Sequence, residues 1–156
     1  MSFFTTLREV MVDTQFRTSY VTMFPILDGM LKIPREHFVP RDKRDVAYIG
    51  ESVPLGADRV VMDPRTLAKL LDAIDINQSE LVLDIGSGLG YSSALLSRLA
   101  EAVVAIEDDE TRVADSEEAL QDMGLDNVFL LKGALTEGAA KHGPYDVILI
   151  QGAVEE

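Results

Sequence analysis

The stretch Val82-Leu83-Asp84-Ile85-Gly86-Ser87-Gly88-Leu89-Gly90-Tyr91 joins a short apolar run to three alternating glycines. A run such as Leu81-Val82-Leu83-Asp84-Ile85, bounded by turn signals, reads as a buried strand. The glycines that follow permit a tight turn and let a ligand approach the backbone with no Cβ in the way. In a doubly wound sheet this is where ligands bind, beyond the carboxyl ends of the strands. The G-x-x-G half of a dinucleotide fingerprint would place its last glycine at 91, but that residue is Tyr91. The spacing is G-x-G-x-G, with Asp84 two residues before the first glycine. A second acid, Glu107, ends the next apolar run 21 residues after Gly86, where a carboxylate can accept hydrogen bonds from both hydroxyls of a ribose. The set suits S-adenosylmethionine, which carries no pyrophosphate and presents an ammonium group. A nicotinamide-dinucleotide module is the weaker alternative.

Working outward, the strand–helix alternation repeats. Ala102–Ile106 reads as a strand, Glu110–Met123 as a helix stopped by Gly124, Asn127–Leu131 as a strand and Tyr145–Ile150 as a fourth, after a weak helical stretch. Upstream, Asp63-Pro64 is an N-cap followed by proline at the first helical position, and Leu67, Leu70, Leu71 and Ile74 form the apolar face of the helix it opens. Apolar strands alternating with helices predict an α/β fold with a parallel sheet covered on both faces. Before it, Phe4–Phe16 reads as an amphipathic helix carrying Leu7, Val10 and Met11 on one stripe. Tyr20–Leu31 reads as a second helix kinked or delayed by Pro25. Ile33–Gly56 is turn-rich and irregular. The expectation is one domain, with residues 1–62 a helical and wrapping region and 63–156 the cofactor-binding core. A sheet ending at a fourth strand leaves an apolar edge, which predicts an incomplete sheet and a piece of a longer protein.

Composition narrows the function classes. The chain has 156 residues, with 14 Lys and Arg against 27 Asp and Glu, a net charge of −13, and no cysteine. Disulfides, thiolate metal sites and cysteine nucleophiles are therefore excluded. Such an acidic surface repels phosphate backbones and anionic lipid, so neither nucleic acid nor membrane is an expected partner. No apolar run reaches the roughly 20 residues of a membrane span, and the first residues lack the apolar core of a signal peptide. A cytoplasmic setting is expected.

Further motifs carry a resemblance. Ile33-Pro34-Arg35-Glu36-His37-Phe38-Val39-Pro40, Ala47-Tyr48 and Val53-Pro54-Leu55-Gly56 precede the glycine loop, and Asn127-Val128 and Tyr145-Asp146-Val147-Ile148-Leu149-Ile150 follow it. With these blocks the chain resembles the protein-L-isoaspartate O-methyltransferases, class I methyltransferases that use S-adenosylmethionine to methylate isoaspartyl carboxylates in damaged proteins. The resemblance implies a Rossmann-like parallel sheet and a role in protein repair, with a protein or peptide carboxylate as substrate. It also implies a cofactor held by Asp84, Gly86, Gly88 and Glu107, with Ser87, Gly90 and Tyr91 around it.

The departures fall near the chemistry. Where the family reads a glutamine and then Thr-x-Ser-Gln-Pro, this chain reads Arg59-Val60-Val61-Met62-Asp63-Pro64. Val60 and Met62 replace the two hydroxyls that help hold the isoaspartyl group, and Asp63 places a carboxylate where an anionic substrate would approach. After the third strand the family's Gly-Asp-Gly becomes Gly133-Ala134-Leu135, which loses the aspartate that faces adenine. A carboxylate acceptor is already nucleophilic at neutral pH, so the reaction needs alignment and exclusion of water rather than a general base. Loss of both hydroxyls predicts poor recognition of the usual substrate. A methyltransferase with a different, less polar acceptor, and a non-catalytic binding or adaptor module, are the alternatives. His37 is expected to be structural and His142 a surface turn residue. In the acidic run Glu107-Asp108-Asp109-Glu110 the first member is the ribose acceptor and Asp108 or Asp109 caps the next helix, so no metal site is expected. Arg59 is expected to be a solvated surface arginine, or else to hold an anionic substrate.

Overall fold

The computed structural model describes residues 2–155. Helices and strands of the α/β core follow one another as the alternation requires: α3 (Pro64–Ile74), β3 (Leu81–Ile85), α4 (Tyr91–Leu99), β4 (Ala102–Glu107), α5 (Glu110–Asp122) and β5 (Val128–Lys132), followed by β6 (Val147–Ile150). The four strands β3–β6 form one sheet in the order β5-β4-β3-β6, parallel throughout. Asp63 caps α3 as expected, its carboxylate accepting from the Thr66 amide at 2.9 Å. Asp109, not Asp108, caps α5.

Strand alternation sorts the side chains. Val82, Val103 and Leu149 point to the face covered by the helices and join the main core, while Leu83, Val104 and Ile106 point to the other. That second face corrects the expectation of cover on both sides: among the described residues it is packed by Leu135, Ala139 and Tyr145 of the irregular connection before β6. The weak helical stretch there amounts to one turn, Ala140–His142. Ile148, on this face of edge strand β6, is 58% exposed.

The N-terminal third wraps the helical face of the sheet. α1 (Phe3–Met11) runs into a widened turn at Val12–Phe16 rather than continuing as one regular helix. Met11, Val12 and Phe16 are all buried across that turn, while Val10, within α1, is half exposed, contrary to the predicted stripe. α2 (Phe24–Lys32) starts late, with Pro25 in its first turn where a missing N–H costs nothing. Arg8 and Tyr48 clasp the following segment: Arg8 Nη2 bonds Glu36 at 3.1 Å, and the Tyr48 hydroxyl donates to Glu36 while accepting from Arg8 Nε and the Arg35 amide, both at 3.0 Å.

At the end of the predicted irregular segment, and running past it, lies a feature the sequence did not announce. β1 (Val53–Gly56) and β2 (Arg59–Val61) pair as an antiparallel hairpin. Its turn, Ala57-Asp58, has φ of +49° and +59°. Such mirror-image turns normally use Asn-Gly or Asp-Gly. Holding an L-residue there costs roughly 1–2 kcal/mol, so contacts of the hairpin arms must stabilise it.

Candidate cofactor site

The glycine loop leaves β3 and enters α4 at Gly90. Gly86 and Gly88 have φ of +76° and +60°, so the turn requires glycine at both positions. The amides of Gly86 and Ser87 both donate to the Ile106 carbonyl, which fastens the loop to β4. This brings the loop alongside Glu107, whose carboxylate accepts from the Gly88 amide at 2.8 Å. Glu107, Gly86, Ser87 and Gly88 are thus brought together at one end of the sheet.

Three of the other predicted residues lie beneath or beside the loop. Asp84 shares the face of Val82, so its fully buried carboxylate meets the start of α4: it accepts from Ser92 Oγ at 2.7 Å, Ser93 Oγ at 2.6 Å and Gln151 Nε2 at 2.8 Å. Burial pushes its carboxyl above the ordinary carboxylate value, against the pull of those three hydrogen bonds. Gly90 faces α5; a Cβ there would stand 2.6 Å from Ser116 Oγ. Tyr91 turns into the main core, its hydroxyl 3.2 Å from Met30 Sδ and its ring under the Arg35 guanidinium. The block containing Arg35 is structural in the same way: buried Arg35 donates to the carbonyls of Ala47 and Met62.

The surroundings of Glu107 could not be read from the sequence. Arg59, at the start of β2, crosses the loop and bonds the carboxylate through both ends of its guanidinium, Nη2–Oε2 at 2.8 Å and Nη1–Oε1 at 3.2 Å. It also reaches Asp108 at 3.1 Å. Arg112, one turn into α5, adds Nε–Oε1 at 3.1 Å. Arg59 is 16% exposed and Glu107 fully buried, which overturns the expectation of a solvated surface arginine. Asp108 is held below the ordinary carboxylate value, first by hydrogen bonding with Glu107, which outweighs the opposing effect of burial, and with smaller pulls from Arg59 and Arg112.

Does S-adenosylmethionine fit these residues? The donor set does. Ser87 Oγ is buried with no hydrogen-bond partner among the described residues, Glu107 stands at the end of β4, and two glycines open a cradle. The space, however, is filled from the hairpin. The Cβ positions of Gly86 and Gly88 are met at 3.0 Å by Arg59 Nη2 and Leu55 Cδ1. The cavity left between the loop and Val60, Met62 and Gln151 is about 10 Å³, room for one water, whereas a bound small molecule occupies roughly 300 Å³ or more. Val60 and Met62 face this cavity, so the positions of the absent hydroxyls border the glycine loop. No group of three or more metal-ligating side chains occurs among the described residues, and no helix there is long and apolar enough to cross a membrane.

Solved structures define the class of fold. One protein-L-isoaspartate O-methyltransferase structure aligns over 92% of this chain and 47% of its own, with a TM-score of 0.77 at 24% identity. A putative protein-L-isoaspartate O-methyltransferase from Plasmodium falciparum, solved in complex with S-adenosyl-L-homocysteine, aligns over 96% of this chain and 73% of its own, with a TM-score of 0.73 at 18% identity. The fold is that of the Rossmann-like methyltransferases. The sequence model of the protein-L-isoaspartate(D-aspartate) O-methyltransferase family matches residues 6–156, and the chain belongs to that family. Curated relatives include protein-L-isoaspartate O-methyltransferase 2 of Anaeromyxobacter sp. (strain Fw109-5), 36% identical over 149 residues, and the enzyme of Roseiflexus castenholzii, 34% identical over 150. Each match covers 96% of this chain; the chain spans 61% and 68% of the two relatives.

Proposed function

We propose that the chain is the cofactor-binding part of an S-adenosylmethionine-dependent carboxyl methyltransferase that acts on a protein or peptide in a cytoplasmic setting. The observation that carries the reading is Glu107, a buried carboxylate at the end of β4, fixed by the Gly88 amide beside a glycine cradle. In this reading Glu107 accepts from the ribose hydroxyls, Gly86 and Gly88 let the ligand reach the backbone, and the orphaned Ser87 hydroxyl gains a partner. Asp84 acts through the loop, by anchoring the start of α4 under it. When bound, the cofactor supplies an activated methyl group. The chain's own part is to hold that group in line with an acceptor carboxylate and keep water out.

A second reading concerns the acceptor. Val60 and Met62 line the cavity against the glycine loop and offer apolar contact in place of hydroxyl donors. This favours a less polar acceptor than the isoaspartyl group, because a pocket without polar partners discriminates weakly in favour of a hydrogen-bonding substrate.

Calorimetric titration with S-adenosylhomocysteine tests the cofactor reading: micromolar binding, about −8 kcal/mol, supports it, and no binding by the folded chain removes it. Turnover with an isoaspartyl peptide, set against a Val60→Thr/Met62→Ser double variant, tests the acceptor. Gain of isoaspartyl methylation by the double variant supports the second reading; equal activity in both chains refutes it.

A further inference from the structure

We infer that Arg59 is a latch: it competes with the cofactor for Glu107, and the β1–β2 hairpin must lift from the glycine loop before the site can load. The inference rests on the cofactor reading and adds a residue that controls access to the site.

Glu107 has no acceptor capacity left. Oε1 takes Arg59 Nη1, Arg112 Nε and the amides of Asp108 and Asp109; Oε2 takes Arg59 Nη2 and the Gly88 amide. A carboxylate offers about four lone-pair sites, so ribose hydroxyls cannot be added to this set; they must replace a member of it. The backbone amides belong to the loop and to the start of α5, and Arg112 is carried by α5 itself. Arg59 alone among these donors comes from outside the α/β core, on a two-stranded hairpin. The same side chain covers Gly86, and Leu55, on the other arm of the hairpin, covers Gly88. Both covers ride on the one hairpin, so the two glycines are uncovered together only when its tip lifts, and Arg59–Glu107 is the ion pair that holds the tip down.

The hairpin is suited to movement. Gly56, Ala57 and Asp58 form three successive left-handed residues, a strained turn that gains when the arms are freed to relax. On its far side β2 is followed by Met62, whose carbonyl is held by Arg35, which fixes a hinge where the hairpin meets the core. Opening takes Arg59 from a dry carboxylate to solvent, and the cofactor's hydroxyls take its place on Oε2. A ligand whose competent state is a minor population binds more weakly by that fraction.

Arg59→Gln keeps a hydrogen-bonding side chain but removes the charge and the two-pronged contact. Two measurements on this variant and the parent chain decide the matter: S-adenosylhomocysteine affinity by calorimetry, and amide hydrogen exchange across residues 53–61 without ligand. The expected result is binding at least about tenfold tighter in Arg59→Gln, with faster exchange confined to the hairpin and unchanged protection in β3 and α4. Equal affinity and equal hairpin exchange in the two chains overturn the latch while leaving the cofactor reading intact. Weaker binding by the variant overturns it too, by making Arg59 a cofactor ligand. Faster hairpin exchange with no binding by either chain defeats the cofactor reading and the competition together, and leaves Arg59 as a structural clasp.

Discussion

Gln151, just past the end of β6, donates through Nε2 to Asp84 Oδ1 at 2.8 Å, so the last strand is tied to the carboxylate beneath the glycine loop. That carboxylate holds its proton more tightly in the fold than in the unfolded chain, because burial outweighs its three donors. The native state then binds more protons than the unfolded state between the ordinary value of 3.8 and the raised native one. Stability from this group therefore falls as pH rises through that window. Asp84→Asn lacks the titration, so its stability should improve relative to the parent as pH rises from about 4 to about 7. Urea midpoints across the series measure it; a parent that gains on the variant with rising pH refutes the assignment.

Gly90 and Ser116 make a second test. Alanine at 90 meets Ser116 Oγ at 2.6 Å on a backbone with φ of +98°, and should cost about 2–4 kcal/mol. Ser116→Ala alone removes a buried hydroxyl that has no partner among the described residues, so it should leave stability within about 0.5 kcal/mol or raise it. Placing both changes together should recover the part of the loss due to the clash and none due to the backbone. Full recovery in the double variant would show that the positive φ is cheap here.

Tyr48→Phe removes the hydroxyl at the centre of the Arg8–Glu36 clasp and leaves the Arg35 amide without its acceptor. A loss of about 1–3 kcal/mol is expected. Amide exchange should speed up in α1 and around residues 33–38 before it does in the sheet. Uniform loss of protection across the molecule would place the clasp in the global unfolding unit instead.

Asp63→Ala deletes the carboxylate that caps α3 and should cost about 1 kcal/mol, whereas Asp63→Asn should retain most of it. Thermal denaturation of the two variants separates the cap from a general effect of charge.

The core of this reading was visible in the residues because it rests on local rules. Leu81–Ile85, the glycine turn, the Asp63-Pro64 helix start and the Gly124 stop each carry their own signal, and all four appear in the structure. The glycines, Ser87 and Glu107 likewise converge because a parallel sheet places its strand ends together. What stayed hidden depends on partners distant in sequence. The hairpin turn uses Ala57-Asp58, which lacks the glycine or asparagine that announces such a turn. Arg59 meets Glu107 across 48 positions, and nothing in its neighbours distinguishes it from a surface arginine. Gly90 and Tyr91 belong to the same motif as Gly86 and Gly88, yet one faces Ser116 and the other Met30; a motif gives spacing, and helix direction decides where each residue points. Val10 falls outside its predicted stripe because, at 100° per residue in α1, it lies at the margin of the face that Phe4, Leu7 and Met11 share.

The main core takes residues from both sides of position 62: Phe16, Met30 and Phe38 pack in one cluster with Leu71, Tyr91, Leu95 and Val103. The wrapping region is thus part of the same hydrophobic interior as the sheet, and no seam runs between them. A chain cut at that position would bare two halves of one interface, neither with a complement of its own. Denaturation should accordingly run as a single step in which the outer wrap and the sheet are lost together, and a protease that nicks the hairpin tip would leave two pieces that stay joined until the whole molecule melts.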